Sequence, residues 1–260
     1  MGTSTSKVLL KARLLFRRYV SEKSLWNRVS AQPVIDAPTQ LIYIHIGKCG
    51  GSSLWDAIQT SELLKGQFSR IAKIHVEKPP LFSSSKYLFV VRDPVERAMS
   101  AFNWRYKLVV EDGIQRSRFE GEWEALTKHK TLNNLAESLY TEDKLSFAAA
   151  ADFNTIHHLK ETISFYLQDL LQCIEAHQIF AVMETETLDE DIANILDVEP
   201  GLRRNVNSRG MSAPELTLTP LATANLRRFL ARDYECLQQL REMSAMSGRG
   251  SGDAESSSNG

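Results

Sequence analysis

An apolar segment that stops at a glycine-rich turn is the feature that most constrains the fold of this chain. It reads LIYIHIGKCGGSSLWDAI over residues 41–58. The first six residues are almost continuously apolar and rich in β-branched side chains, which is typical of a strand buried on both faces of a parallel sheet. Apolar residues return at helical spacing after the turn GKCGGSS. We therefore predict a strand at 41–46, a turn, and a helix at 52–64.

Further apolar segments alternate with helical ones along the chain. We predict strands at 70–76, 86–91 and 178–184, and helices at 158–177 and 214–241. Another helix is expected to begin at Pro94, with Asp93 as its N-cap. Residues 110–155 are expected to form short helices and loops. This alternation predicts a three-layer, P-loop-like α/β domain with a mostly parallel central sheet flanked by helices, whose ligands bind at the carboxyl ends of the strands.

The chain has 260 residues, enough for one well-developed core. We predict one domain over residues 37–242 and a disordered Ser/Gly tail over 243–260. The net charge of −1 argues against a nucleic-acid binder that relies on bulk attraction. The three cysteines are far apart and lack metal-ligand spacing, so we expect a reducing compartment and a cytoplasmic location.

Residues 1–36 form a basic amphipathic segment. The first 30 residues contain seven Lys or Arg side chains and one acidic residue, Glu22. These charges interrupt the apolar run KVLLKARLLFRRYV, which excludes a membrane-spanning helix and argues against a cleavable signal peptide. Two interpretations stay open: peripheral contact with an anionic membrane or a partner, or a solvated helix packed against the domain.

The turn after the first strand has the composition of a phosphate-binding loop. Its glycines allow backbone N–H groups to approach an anion at the start of a helix, Lys48 adds a positive charge, and the serines add hydroxyl donors. A tight turn without a ligand is the alternative interpretation. We name residues 47–53 the glycine loop. The residues predicted to contact the anion are Gly47, Lys48, Cys49, Gly50, Gly51, Ser52 and Ser53.

A second candidate anion site follows the third predicted strand, within LFVVRDPVERAMSAFNW (88–104). Arg92 ends that strand, and Ser100 lies about two helical turns later. A guanidinium fork and a hydroxyl can bind one phosphate together. Two anion sites at neighbouring strand ends predict a ligand that carries two separated phosphates.

These two motifs resemble those of a known enzyme family. YIHIGKCGGSSL is similar to the 5′-phosphosulfate loop of sulfotransferases, and VVRDPVERAMSAF is similar to their 3′-phosphate motif. The likeness is greatest to carbohydrate sulfotransferases of the heparan sulfate 2-O-sulfotransferase type and covers about residues 41–105, with weaker similarity at 203–210 and 224–240. The family usually has Pro-Lys-Thr-Gly-Gly-Thr-Ser in its loop, so Gly47 and Cys49 depart from the pattern.

The resemblance implies a donor, an acceptor and roles for particular residues. The donor would be 3′-phosphoadenosine 5′-phosphosulfate (PAPS), used without a metal, and the acceptor a hydroxyl group on a glycan or a small alcohol. His75, in a segment similar to the family's Gly-His-Val, would be the catalytic base, and Lys48 would stabilise the leaving phosphate oxygen. A backbone-bonded structural histidine is the alternative for His75. Asn207, Ser208 and Arg209 would close over the nucleotide, although a plain polar loop is also open.

Several details accompany this hypothesis. His45 is expected to be structural. His157 and His158 are expected to lie on a helix about 100° apart, where they could not easily share a metal. One of the two is expected at the surface, and the other is a candidate contact of the acceptor. Cys49 is expected to react readily with thiol reagents because it lies near a helix N-terminus. Trp104, Trp123 and Tyr140 are candidates for stacking on sugar rings or for the core.

Two rival functions remain at this stage. A P-loop small-molecule kinase would normally hold Mg²⁺ through a Ser or Thr after the loop lysine, where this chain has Cys49. A non-catalytic nucleotide-binding scaffold would keep the loop without the chemistry.

Overall fold

A four-stranded parallel sheet lies at the centre of the protein. The structure, a computed structural model, describes residues 39–80, 85–199 and 217–249. The central strands are β1 (Thr39–His45), β2 (Phe68–His75), β3 (Ser85–Val91) and β6 (Ile179–Glu184). Their order across the sheet is β2-β1-β3-β6, and all neighbours are parallel. A small antiparallel hairpin pairs β4 (Tyr140–Thr141) with β5 (Lys144–Leu145).

Helices flank this sheet and form a second layer of packing beyond it. They are α1 (Gly51–Thr60), α2 (Glu62–Gln67), α3 (Pro94–Tyr106), α4 (Glu122–His129), α5 (Leu132–Ser138), α6 (Phe147–Thr155), α7 (Ile163–Leu167), α8 (Leu188–Leu196), α9 (Pro220–Phe229) and α10 (Ala231–Arg249). A π-helical turn at Lys107–Glu111 continues α3, and a 3-10 turn at Ala176–Gln178 precedes β6. Among the described residues, none of these helices combines the length and apolar character needed to cross a membrane.

The hydrophobic core has two parts. The first surrounds the central sheet and includes buried side chains from α1, α7, α8 and α10. The second lies among α3, α4, α5, α6 and α9, and Trp123 and Tyr140 pack against it. These two aromatic residues therefore contribute to the core rather than forming an open sugar-stacking surface.

The predicted α/β architecture with a parallel sheet is confirmed, and so are the four central strands. Residues 110–155 form short helices and loops as expected, together with the unpredicted β4–β5 hairpin. The predicted helix at 52–64 is interrupted at Ser61, whose hydroxyl accepts a hydrogen bond from the Leu64 N–H and so caps α2. The predicted helix at 214–241 divides into α9 and α10 at Leu230, and residues 214–216 lie outside the described residues.

The predicted long helix at 158–177 is wrong. Only α7 is helical there, because His158 has a left-handed backbone with φ of 67° and Thr162 caps a new helix at Ile163. The tail boundary at 243 is also wrong, since α10 continues to Arg249. Met243 packs against the sheet core, and the Ser247 hydroxyl donates to the Ile179 carbonyl at 3.4 Å. The basic segment at 1–36 and residues 250–260 lie outside the described residues.

Candidate functional site

The three glycines of the glycine loop each have a local structural reason. Gly50 has φ of 76°, in the left-handed region that favours glycine. A β-carbon at Gly51 would collide with the His45 ring and the Tyr43 hydroxyl, and one at Gly47 would collide with the His158 ring. Backbone conformation at Gly50 and packing at Gly47 and Gly51 thus explain these glycines without a ligand.

The glycine loop gives Lys48 an unusual setting. Its backbone is left-handed, with φ of 72°. Its ammonium nitrogen lies 4.7 Å from the centroid of the Trp104 ring on α3. Burial lowers the pKa of Lys48 to about 8, with further contributions from Arg92 and Arg97. The lysine is therefore positively charged at neutral pH but surrounded by other cations.

Arg97 is a site residue that the sequence analysis missed. Its buried guanidinium donates from Nε to the Gly47 carbonyl at 2.9 Å, and from NH2 to the carbonyls of His158 (2.8 Å) and Glu161. Within the described ranges, neither Arg97 nor Lys48 forms an ion pair with a carboxylate. The signal in the sequence was the position of Arg97 on the same face of α3 as Pro94, Ala98 and Ala101, which is the buried face.

Arg92 follows β3 and faces the same region. Its side chain is 25% exposed and lies 3.6 Å from a Glu96 oxygen and 3.7 Å from a Glu186 oxygen. These separations are too long for hydrogen bonds, and the buried Nε of Arg92 has no hydrogen-bond partner within the described part of the chain. Its charge reaches Lys48 and Cys49, so Arg92 does lie beside the glycine loop.

Ser100 is the second residue of the predicted 3′-phosphate motif. It is partly exposed on α3, as predicted, but in the described part of the chain no hydrogen bond joins it to Arg92. Asp93 caps α3 as predicted, accepting from the N–H groups of Val95 (2.9 Å) and Glu96 (3.0 Å). Asn207, Ser208 and Arg209 lie outside the described residues.

The remaining loop residues divide into buried and accessible ones. The Cys49 side chain is fully buried, and burial raises the pKa of its thiol to about 12. The expectation of a reactive Cys49 is therefore wrong: the chain folds this side chain into the sheet core. Ser52 is exposed, Ser53 is partly exposed, and no side chain caps the N-terminus of α1. The first N–H groups of α1 can consequently donate to an anion.

Four histidines gather beside the loop, and we call them the histidine cluster: His45, His75, His157 and His158. Ring centroids of His45 and His75 are 4.3 Å apart, those of His75 and His158 are 5.7 Å apart, and those of His157 and His158 are 4.2 Å apart. Burial, reinforced by the neighbouring histidines, lowers the pKa of His45 to about 3 and that of His158 to about 2. Both rings are neutral at neutral pH.

His75 is the exposed member of this cluster, at the end of β2. Its Nδ1 lies 3.1 Å from the His45 carbonyl oxygen. Because a carbonyl oxygen only accepts, Nδ1 carries the proton and Nε2 presents a lone pair. Burial lowers the pKa of His75, although this backbone bond opposes the shift. The alternative of a backbone-bonded histidine is thus observed, and it coexists with a neutral Nε2 suited to accept a proton.

Ring contacts connect Lys48 to His75. Trp104 lies under the Lys48 ammonium, its ring centroid is 5.3 Å from that of His158, and His158 in turn contacts His75. The structure therefore brings Lys48, Arg92 and His75 together at the carboxyl ends of β1, β3 and β2. His157 and His158 lie in a turn rather than on a helix, so the premise that their rings diverge is wrong.

Fold and site together define an α/β protein with a cationic, histidine-bearing site at the carboxyl edge of a parallel sheet. Comparison with models of protein families, with curated proteins and with solved structures gives no match for this chain.

Proposed function

We propose that this protein is a sulfotransferase that moves the sulfuryl group of PAPS to an acceptor hydroxyl, in keeping with the motif resemblance. The observation that carries the proposal is the set of cations around the glycine loop: Lys48 and Arg97 lack carboxylate partners among the described residues, and the buried Arg92 Nε lacks a hydrogen-bond acceptor. Buried charge without compensation is costly, and a polyanionic ligand would remove that cost.

The proposal assigns different residues to the two ends of the donor. Lys48 and the uncapped start of α1 would bind the phosphosulfate. Arg92, whose two carboxylate neighbours are only loosely held, would bind the 3′-phosphate. Ser100 and the segment at 207–209 stay as predicted contacts of the nucleotide.

The proposed transfer step gives one catalytic role to His75 and another to Lys48. His75 Nε2 accepts the proton of the acceptor hydroxyl as its oxygen attacks the sulfur. The bond between sulfur and the bridging oxygen breaks, and the electron pair stays on that oxygen. Lys48 stabilises the developing charge there, and the products are a sulfate ester and 3′-phosphoadenosine 5′-phosphate (PAP).

Trp104 marks the side from which an acceptor would approach. It is partly exposed and lies between Lys48 and His158, which contacts His75. The Lys48 ammonium and the Arg105 guanidinium lie 4.7 Å and 5.2 Å from the centroid of this ring, so the ring is not open for sugar stacking. The proposed acceptor is therefore a hydroxyl group on either a glycan or a small alcohol.

Calorimetric titration of the full chain tests the nucleotide class. We expect PAP to bind equally well with and without added Mg²⁺, and ATP to bind at least tenfold more weakly under both conditions. Tighter binding of Mg²⁺–ATP than of PAP would replace this proposal with the kinase, and absence of binding to either nucleotide would overturn it as well.

The chemical roles need a second assay, transfer of labelled sulfate from PAPS to a panel of glycans and alcohols. His75→Ala should leave PAP affinity nearly unchanged and lower turnover by ~10²-fold or more. Lys48→Ala should lower both, because its charge meets the ground state and, more strongly, the leaving oxygen. His177→Ala is the matched control, since His177 is exposed beside Glu175 away from the site. If His75→Ala keeps full turnover, another residue is the catalytic base. If the wild-type chain binds PAP but transfers sulfate to no acceptor, the protein is better explained as a non-catalytic nucleotide-binding scaffold.

A further inference from the structure

The turn at 157–161 brings together three side chains that can ligate a metal. His157, His158 and Glu161 are 9%, 6% and 5% exposed. One ligand atom from each lies within 4.8 Å of the other two. The spacing His-His-x-x-Glu places all three in one short stretch, so the arrangement depends on the conformation of a single turn.

Contacts from distant elements hold this turn in place. The Glu122 carboxylate accepts from the His157 N–H at 2.8 Å, and the Glu161 carboxylate accepts from the His158 N–H at 2.7 Å. Arg97 bonds the carbonyls of His158 and Glu161. His158 keeps a left-handed backbone, which is uncommon for a residue other than glycine. The three side chains are therefore preorganised.

Two ring nitrogens in this turn are buried and have no hydrogen-bond partner among the residues that the structure describes. They are Nδ1 of His157 and Nδ1 of His158. His157 Nδ1 lies 3.2 Å from a Glu161 oxygen, so these two candidate ligand atoms are already close together. A buried polar atom without a partner typically costs about 1–3 kcal/mol. A cation that accepts both nitrogen lone pairs and a carboxylate oxygen would satisfy these groups.

We propose that His157, His158 and Glu161 bind a divalent first-row transition metal ion of the Zn²⁺ type. Two imidazoles and one carboxylate form a known ligand set for zinc that leaves one position open. The ion would fix the turn against the glycine loop, because His158 packs on Gly47 and contacts Trp104. Arg97 places a competing positive charge beside the turn, so we expect weaker binding than at closed four-ligand zinc sites. This proposal is independent of the proposed transfer reaction.

Metal titration of the full chain tests the proposal. The protein is first treated with a chelator and dialysed, then titrated with Zn²⁺ alone by calorimetry and with Co²⁺ alone by absorption spectroscopy. We expect each chain to bind one equivalent of the metal ion. The Co²⁺ spectrum should show ligand-field bands but no thiolate charge-transfer band, because none of the three proposed ligands is sulfur. Glu161→Gln and His157→Gln should each weaken binding by at least about 10–100-fold.

The chain offers a matched control for these variants. His177 Nδ1 also lies 3.2 Å from a carboxylate oxygen, that of Glu175, but the pair is exposed and has no third ligand among the described residues. His177→Gln should therefore leave metal affinity unchanged. The proposal is overturned if the wild-type chain binds no stoichiometric metal, or if Glu161→Gln and His157→Gln bind it as tightly as His177→Gln does. Should a variant fail to fold, a wild-type Co²⁺ spectrum with thiolate bands overturns it too.

Discussion

At the scale of single residues, Lys48 is the most informative position in the site. A left-handed backbone costs a non-glycine residue roughly 1–2 kcal/mol, and burial near other cations adds to the cost of its charge. Strain of this kind persists where the surrounding structure enforces it and is concentrated at functional sites. This setting supports a role for Lys48 in binding an anion, which would compensate its charge.

The pKa of Lys48 leads to a prediction about pH. The ammonium is protonated below about 8 and neutral above it, so PAP affinity should be maximal near pH 7 and fall above pH 8. Above pH 8, PAP affinity should fall by no more than about tenfold per pH unit, because one proton is linked to binding. Calorimetry at pH 7, 8 and 9 measures it. The Lys48→Arg variant keeps its positive charge from pH 7 to pH 9, so its PAP affinity should not fall with pH in this way. If the PAP affinity of Lys48→Arg falls as steeply as that of the wild-type chain, Lys48 does not contribute to the nucleotide site.

The three cysteines lead to a second prediction at this scale. Cys49 and Cys236 are buried, with thiol pKa values raised to about 12 and about 11, whereas Cys173 is exposed. A thiol reagent should therefore label one cysteine rapidly in the native protein and three after denaturation. Cys173→Ser should abolish the rapid phase. If a second thiol reacts rapidly and bound nucleotide slows its labelling, Cys49 is accessible in the native protein and this prediction is wrong.

At the scale of elements, α3 connects the second part of the core to the site. Arg97 bonds the glycine loop and the 157–161 turn, and Arg105 forms a buried ion pair with Glu122. Glu122 Oε1 also accepts from the His157 N–H. The helix thus holds the turn in place from two positions two helical turns apart.

This buried pair yields a prediction about stability. Glu122→Ala leaves the Arg105 guanidinium buried and uncompensated, so we expect a loss of about 3–5 kcal/mol in the free energy of unfolding. Denaturant titration measures it. Glu235→Ala is the control, since Glu235 pairs with Arg232 at an exposed site and should cost less than about 1 kcal/mol. If Glu122→Ala and Glu235→Ala lower the free energy of unfolding by the same amount, the buried Arg105–Glu122 pair does not have the importance proposed for it.

The same scale explains which elements the sequence could predict. The central strands are continuous apolar runs, and α3 has its N-cap in Asp93-Pro94, so local pattern is sufficient. The 158–177 helix was predicted from local propensity. Contacts from Arg97 and Glu122, 35 or more residues away, instead hold His157 and His158 in a turn. No local pattern contains that information.

At the scale of the whole molecule, strand ends account for the site residues that sequence could predict. Lys48, His75 and Arg92 each follow a strand, and parallel strands bring their carboxyl ends to one edge. Arg97 was not predicted as a site residue because it reaches the glycine loop by packing between distant segments, and the contact of His158 with Gly47 has the same origin. The sequence thus indicated the edge of the sheet but not the contacts that shape it.

The central claim is that two anion sites at this edge hold one nucleotide with two separated phosphates. The most direct test compares PAP with adenosine 5′-phosphate, which lacks the 3′-phosphate, on the wild-type chain and on Arg92→Ala. Loss of one charged hydrogen-bonded contact should weaken PAP by ~1.5–3 kcal/mol and leave adenosine 5′-phosphate nearly unaffected, so the preference between them disappears. Arg228→Ala is the control, because Arg228 forms an exposed ion pair with Asp143, and this variant should keep the preference for PAP over adenosine 5′-phosphate. If Arg92→Ala still discriminates as the wild-type chain does, the two sites do not bind one ligand and the account is wrong.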